Sequence, residues 1–376
     1  MTGALHGRDA LIVGAGVAGL TAALALTARG ARVTVLERAP EIREVGAGLQ
    51  ISPNAMRVLR ALDLGAAMDA VSLPGYGVRL RDASGAEVVR LDLRGHDPAG
   101  FRLIHRAALI GVLAEACAER GVEIRLGQMV ETLPDAPLLI GADGLHSRVR
   151  AALNGQKAPF FTGQTAWRAV IADDGAAVPE AQVFMGPGRH LVSYPLAGGL
   201  RNIVAVEESR DWRDEGWSHP GDPDRLRQVF AGFGGPVPGW LAAVDQVHLW
   251  GLFRHEVAER WQDGRCAILG DAAHPTLPFM AQGACMAIED AWILAACLGA
   301  DADQPAALAR YQALRRPRTL RIVAAANANA RNYHLTGARR LAAHAALRLA
   351  GLVAPGRLLS RFDWIYRFDP LAVQAG

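Results

Sequence analysis

Six residues near the start of the chain, Gly14-Ala15-Gly16-Val17-Ala18-Gly19, leave few folds open. The G-x-G-x-x-G spacing alone is a weak signal, but here it has context. An apolar run at residues 9–13 precedes it, an Ala/Leu-rich segment at 17–29 follows, and a second apolar run at 31–36 ends in Glu37. That order predicts strand, helix, strand: the β-α-β unit of a parallel sheet. Each glycine has a separate task. Gly14 permits the tight turn, Gly16 lets a pyrophosphate approach the backbone, and Gly19 lets the helix pack on the strand. Free N–H groups around Ala15, Val17 and Ala18, at the helix start, bring partial positive charge to the phosphates. Glu37 would accept hydrogen bonds from both hydroxyls of an adenosine ribose, and Arg38 is assigned to the same nucleotide. A carboxylate at 37 would repel a 2′-phosphate, so NADP is disfavoured at this turn.

That motif does not separate FAD from NAD. Two later turns do. Gly141-Ala142-Asp143-Gly144 follows an apolar run at 136–140, and Gly270-Asp271-Ala272-Ala273-His274-Pro275 follows another at 266–269. Strands that end in small-residue turns deliver loops to a ligand at their C-terminal ends. A nicotinamide dehydrogenase has no need of a second Gly-Asp turn. FAD has, because its ribityl chain carries hydroxyls that a short carboxylate binds, and Asp271 is the residue assigned to that bond. After Pro278 the chain passes Gln282-Gly283-Ala284 into a predicted helix through Leu298. Its N-terminus would face the flavin pyrimidine and stabilise the anion formed there on reduction.

The 376 residues suffice for two domains. Segments 74–97 and 168–263 alternate polar and apolar residues between Gly/Pro turns, as antiparallel strands do. The expected architecture is α/β: a discontinuous Rossmann-like FAD-binding domain (1–73, 98–167 and 264–320), an inserted antiparallel β-sheet substrate domain (74–97 and 168–263) and a helical C-terminal region (321–376). Helix breaks are expected at Pro317, Gly337 and Pro355. A net charge of +3 gives no reason to expect nucleic acid. The four cysteines form no CxxC pair or Cys/His cluster, so no metal is expected and reduced thiols are. The N-terminal segment has no apolar leader and no stretch reaches the ~20 apolar residues of a spanning helix, which points to the cytoplasm.

The runs GAGVAGL (14–20), GADGLHSRVR (141–150) and GRCAILGDAAHPTLPFMAQGACMAIEDA (264–291) together resemble the flavoprotein aromatic hydroxylases. TAWRAVI (165–171), MGPGRHLVSYPL (185–196) and FDWIYRFDPL (362–371) resemble the salicylate and hydroxybenzoate hydroxylases within that family. The resemblance implies non-covalent FAD, reduction by NADH or NADPH without a separate nucleotide domain, and O2 added at flavin C4a. The hydroperoxide then hydroxylates a small aromatic acid or phenol. It also implies that Arg106 and Val130 bind FAD and that Asp143 lies near both cofactor and hydride donor. Two departures stand out: the stretch 127–137 is too short for the family's usual β-meander, and Arg254-His255 stands where Asp-Arg is common.

A phenol hydroxylase needs a polar group to bind or deprotonate the phenol, because the phenolate is the better nucleophile. His190 and Tyr194, an even number apart in a predicted strand, share a face. With Gln282 they are the catalytic candidates; Asn202 and Phe279 are the substrate-binding ones. Each has a plainer alternative: a turn histidine, a core tyrosine, a helix-capping glutamine. His274 is read as shaping its loop. A quinone-pathway hydroxylase, epoxidase or reductase on the same fold is the rival function. Between Arg310 and Arg367 stand twelve arginines and one acid, Asp363. This stretch is read as a solvated face or subunit contact rather than a membrane surface, since His344 and Arg348 interrupt its apolar runs. Monomer and homodimer both stay open.

Overall fold

The computed structural model describes residues 4–42, 47–173, 175, 178–209 and 219–374. Residues 1–3 of the N-terminal segment and 210–218 of the expected insert lie outside the described residues.

Three apolar runs become adjacent parallel strands. The sheet order is Cys266–Ile268, Leu139–Gly141, Asp9–Val13, Arg32–Leu36 and Glu123–Arg125. Val13 pairs with Gly141, and Gly141 pairs with Ile268, so the three motif turns leave the sheet at one level. Strands Cys266–Ile268 and Leu139–Gly141 are buried throughout and Asp9–Val13 nearly so, which is why these three read as continuous apolar runs, whereas the edge strand Glu123–Arg125 is largely exposed. Helix Val17–Thr27 packs on helix Gly283–Ala300, which also packs on helix Gln304–Tyr333. Gly283–Ala300 is long and apolar enough by length and composition alone to cross a bilayer, but most of it is buried inside the protein.

The second sheet has eight strands, in the order His219–Gly221, Val247–Arg254, Phe160–Ala172, Leu200–Glu208, Arg189–Leu196, Glu180–Gly186, Gly77–Asp82 and Glu87–Asp92. Its pairings are antiparallel as expected except one: Glu180–Gly186 runs parallel to Gly77–Asp82, which makes the sheet mixed at that pair. The residues between those strands build much of the FAD-binding fold, a connection long enough for a parallel return. Strand Phe160–Ala172 also belongs wholly to this sheet, so the chain changes domain before Phe160 rather than at 167. Helices Pro223–Val229 and Val237–Ala242 cover the sheet's far face over Trp167, Phe184 and Leu191.

The C-terminal region is helical, and Gly337 and Pro355 do begin new helices, Gly337–Val353 and Pro355–Ser360. Pro317 does not break its helix, although an internal proline costs about 3 kcal/mol. Charged side chains on either side hold the helix in place. Arg315 pairs with both Glu289 and Asp290 at 2.6 Å, and all three are fully buried. Arg318 pairs with Glu289 at 2.8 Å and donates to the carbonyls of Trp364 and Ile365. His274 Nε2 completes the set on Asp290, with its ring against Trp261.

Candidate active site

The C-terminal ends of the parallel strands and one face of the mixed sheet enclose a cavity of about 1720 Å³. A single drug-sized ligand needs roughly 300–1,000 Å³, so the space accommodates a large cofactor together with a small substrate.

The three turns form one end. Gly14 has φ +103°, and a Cβ there would lie 2.4 Å from the Ala142 carbonyl oxygen, so the first and second turns touch through backbone. A Cβ on Gly19 would lie 1.9 Å from the Gly14 carbonyl oxygen. Gly16 differs: it lines the cavity, and a Cβ there would meet nothing within 4 Å. The chain therefore packs tightly around two of the glycines and leaves the third facing open space, as a pyrophosphate requires. Glu37 closes the turn, accepting from Ala15 N at 2.8 Å and Ala39 N at 2.9 Å. Val17, Ala18, Glu37, Arg38, Arg106, Val130, Asp143, Asp271, Gly283 and Ala284 all line the cavity.

Both cavity aspartates have unusual environments. Asp143 accepts from Arg148 N at 2.7 Å through Oδ2, while its buried Oδ1 has no hydrogen-bond partner among the described residues. Burial pushes its carboxyl above the usual range. Burial also raises Asp271, opposed by the charges of His274 and Arg106. An oxygen left without a donor, beside a carboxylate facing Arg106, fits a ligand that carries hydroxyl and phosphate groups.

The other end is the mixed sheet. Cross-strand partners Arg168–Val204–Val192 form one row, and His190 and Tyr194 flank Val192 on its own strand. All five line the cavity, so the even spacing did place His190 and Tyr194 on one face. His190 is buried rather than in a surface turn, and Phe279 meets its ring edge-on at 5.1 Å. Burial holds the His190 imidazole well below its ordinary 6.5 and the neighbouring His334 adds to this, so at neutral pH it is uncharged. Burial raises the Tyr194 phenol, against the charge of Arg168, so it stays protonated and can donate.

Two expectations are corrected. The Gln282 carboxamide turns away from the cavity, donating to Ser52 Oγ at 2.9 Å and accepting from Asn54 at 3.2 Å. The left-handed residue before it, Ala281 at φ 51°, aims the helix N-terminus at the cavity and the Gln282 side chain into the buried Asn54–Glu289 network. Asn202 likewise stays outside the cavity lining: its Oδ1 accepts from Gly48 N at 2.7 Å and ties strand Gly48–Ile51 to the mixed sheet. His274 lies in the ion network described above, away from the cavity lining.

Sequence reasoning missed Arg168 and Tyr333, which also line the cavity. The signal for Arg168 was present: a single charge inside the apolar strand run TAWRAVI. Its guanidinium stacks on Trp250, 4.0 Å from the ring centroid, which holds the charge in place at an apolar wall. Tyr333 stands at the end of helix Gln304–Tyr333, and nothing local in the sequence says where that end docks.

An FAD binding domain family model matches residues 8–326. The chain is 35% identical to the 3-amino-4-hydroxybenzoate 2-monooxygenase PtnB3 of Streptomyces platensis, over 98% of either protein. It is 34% identical to the 3-hydroxybenzoate 6-hydroxylase of Klebsiella oxytoca, over 95% of this chain and 96% of that one. A solved salicylate hydroxylase substrate complex matches with TM-score 0.80 at 25% identity, covering 97% of this chain and 96% of the other. An FAD complex of a variant HpxO from Klebsiella pneumoniae matches with TM-score 0.83 at 27% identity, covering 95% and 97%. With its three glycine turns closed around one cavity, the chain belongs to the FAD-binding-domain family of flavoprotein monooxygenases, enzymes that use FAD, NAD(P)H and O2.

Proposed function

We propose that this monooxygenase hydroxylates a small aromatic acid bearing a phenol, and that the substrate sits on the Arg168–His190–Tyr194 face of the mixed sheet. The observation that carries this reading is that face itself: an apolar floor with a cation, a neutral imidazole and a protonated phenol at fixed positions. Arg168 receives the carboxylate. The neutral His190 accepts the proton of the ring hydroxyl, and the Tyr194 hydroxyl donates to the ring oxygen as it becomes an anion. Phe279 and Val192 hold the ring plane and keep water away from it. FAD, when bound, supplies the two electrons drawn from NADH or NADPH and carries the oxygen atom that is inserted. Gly14, Gly16 and the helix start at Val17 hold its pyrophosphate, and Glu37 and Arg38 its adenosine. Asp271 and Arg106 hold the ribityl and phosphate groups, with Asp143 and Val130 beside the ring system. The N–H groups of Gly283 and Ala284 meet the pyrimidine edge. The rival quinone-precursor reading is not favoured by relatives whose names are those of aromatic-acid hydroxylases. The reading keeps the enzyme in the cytoplasm, with its buried thiols reduced, as monomer or homodimer.

The test is a panel of hydroxybenzoates, aminohydroxybenzoates and plain phenols. Substrate-stimulated NAD(P)H oxidation should appear with the acids and give a product one oxygen atom heavier. In the same panel, Arg168→Met should raise KM for an acid about 10–150-fold, the worth of a charge-assisted pair at about 1.5–3 kcal/mol. It should leave a phenol without a carboxylate nearly unchanged. Equal KM in variant and wild type for the preferred acid would remove Arg168 from the site.

A further inference from the structure

Behind His190 the cavity wall continues into two more titratable groups and ends in water. His190 Nδ1 lies 2.7 Å from His334 Nε2, and His334 Nδ1 lies 2.8 Å from a carboxylate oxygen of Glu208. His190 is 1% exposed and the His334 side chain 3%, but the Glu208 side chain is 58% exposed. The rings of Phe279 and Tyr333, 5.1 and 5.2 Å from that of His190, pack beside it in the cavity lining.

The outer end sets the direction of every hydrogen bond. A carboxylate only accepts, so His334 carries its proton on Nδ1. Its Nε2 is then a lone pair, and His190 must donate to it from Nδ1. The Nε2 of His190, on an imidazole that lines the cavity, is left as a lone pair. A carboxylate at the surface thus fixes a proton acceptor at the substrate face.

We propose that His334 and Glu208 are the proton exit of the substrate cavity, carrying the phenol proton from His190 to solvent. The inference rests on the phenolic-acid reading above. As the substrate O–H bond breaks, an N–H bond forms at His190 Nε2. The Nδ1 proton of His190 passes to His334 Nε2, and the Nδ1 proton of His334 passes to the Glu208 carboxylate, which releases it to water. A phenolate remains in the cavity, both imidazoles end neutral in the opposite tautomer, and no electrons change hands. The same path run backwards returns a proton to the product and restores the starting tautomers. The exit answers a difficulty set by burial: desolvation disfavours an imidazolium at His190, so the proton needs somewhere to go. His334 and Glu208 touch neither substrate nor cofactor; they act through His190.

The test uses the full-length FAD-loaded protein and a nitro-substituted hydroxybenzoate whose ionisation shows in the difference spectrum, mixed rapidly in weak buffer with a pH indicator. Wild type should bind the ligand as phenolate and release one proton to the medium in the same phase. His334→Ala should slow both signals on the order of 10²-fold, with the flavin spectral response to the ligand retained, and added imidazole should restore the rate. Glu208→Gln keeps an acceptor for His334 but removes the proton sink. It should slow release at least tenfold, and its surface position keeps the test open if His334→Ala fails to fold. Unchanged rates in Glu208→Gln overturn the exit. Wild type that hydroxylates phenolic acids yet binds the probe un-ionised overturns it as well, without touching the function. Failure to hydroxylate any phenol removes both.

Discussion

Arg315→Met should destabilise the folded protein by about 3–5 kcal/mol, the cost of breaking a buried ion pair from one side. Arg315, Glu289 and Asp290 have no solvent exposure, and the guanidinium lies 2.6 Å from both carboxylates. Its removal leaves two desolvated anions, with His274 and the Gly270 N–H on Asp290 and Arg318 and Asn54 on Glu289. Urea unfolding of the FAD-loaded protein at neutral pH measures the effect, and a loss under about 1 kcal/mol would show that the network relaxes around the gap. The same network sets an acid limit. The charges and hydrogen bonds of His274 and Arg315 overcome burial and hold Asp290 at about 2, below its ordinary 3.8. A carboxyl lowered in the folded state stabilises it fully above the unfolded value. That contribution is lost as pH falls from about 4 towards 2. The acid-unfolding curve of Asp290→Asn should therefore be flatter over that interval.

Gly16→Leu should yield a folded protein without FAD, with affinity down on the order of 100-fold or more, about 2.8 kcal/mol. A Cβ at 16 meets no protein atom within 4 Å, so the added side chain projects into open cavity, the space the proposed reading gives to the pyrophosphate. Gly19→Ala has the opposite logic: its Cβ would sit 1.9 Å from backbone oxygen, so the helix must move and stability falls along with flavin content. Asp271→Ala, which removes the carboxylate facing Arg106 across the cavity, should also purify colourless. The measurements are the flavin absorbance per protein and the thermal midpoint of the apo form. A Gly16→Leu protein that retains stoichiometric FAD would exclude the first turn as the pyrophosphate site.

The glycine turns of the proposed cofactor end were legible because their requirements are local. A turn needing positive φ, a close helix crossing and an open approach each demand glycine at a fixed offset, and the offsets can be read directly. Register was legible where alternation was clean, which is how His190 and Tyr194 came to share a face. Gln282 was misread because position was taken for orientation. It stands where the helix meets the cavity, but the left-handed Ala281 sends its carboxamide to Ser52 and Asn54, partners 230 and 228 residues away in the chain. Asn202 failed the same way, through Gly48. The His190–His334–Glu208 row joins a strand to a helix end 144 residues later, and no spacing rule reaches that far. Pro317 shows the converse: a strong local signal lost to tertiary ion pairs.

The parallel pairing of Gly77–Asp82 with Glu180–Gly186 has a consequence for biosynthesis. During translation the first of these strands emerges with only its hairpin partner, Glu87–Asp92, and waits with one edge unsatisfied while the intervening chain is made. Unpaired edges of this kind are where nascent chains aggregate. Release of ribosome-bound fragments at increasing length should show protease protection of residues 77–92 only after strand Glu180–Gly186 has cleared the exit tunnel. Earlier protection would mean that the hairpin is sheltered by another part of the nascent chain.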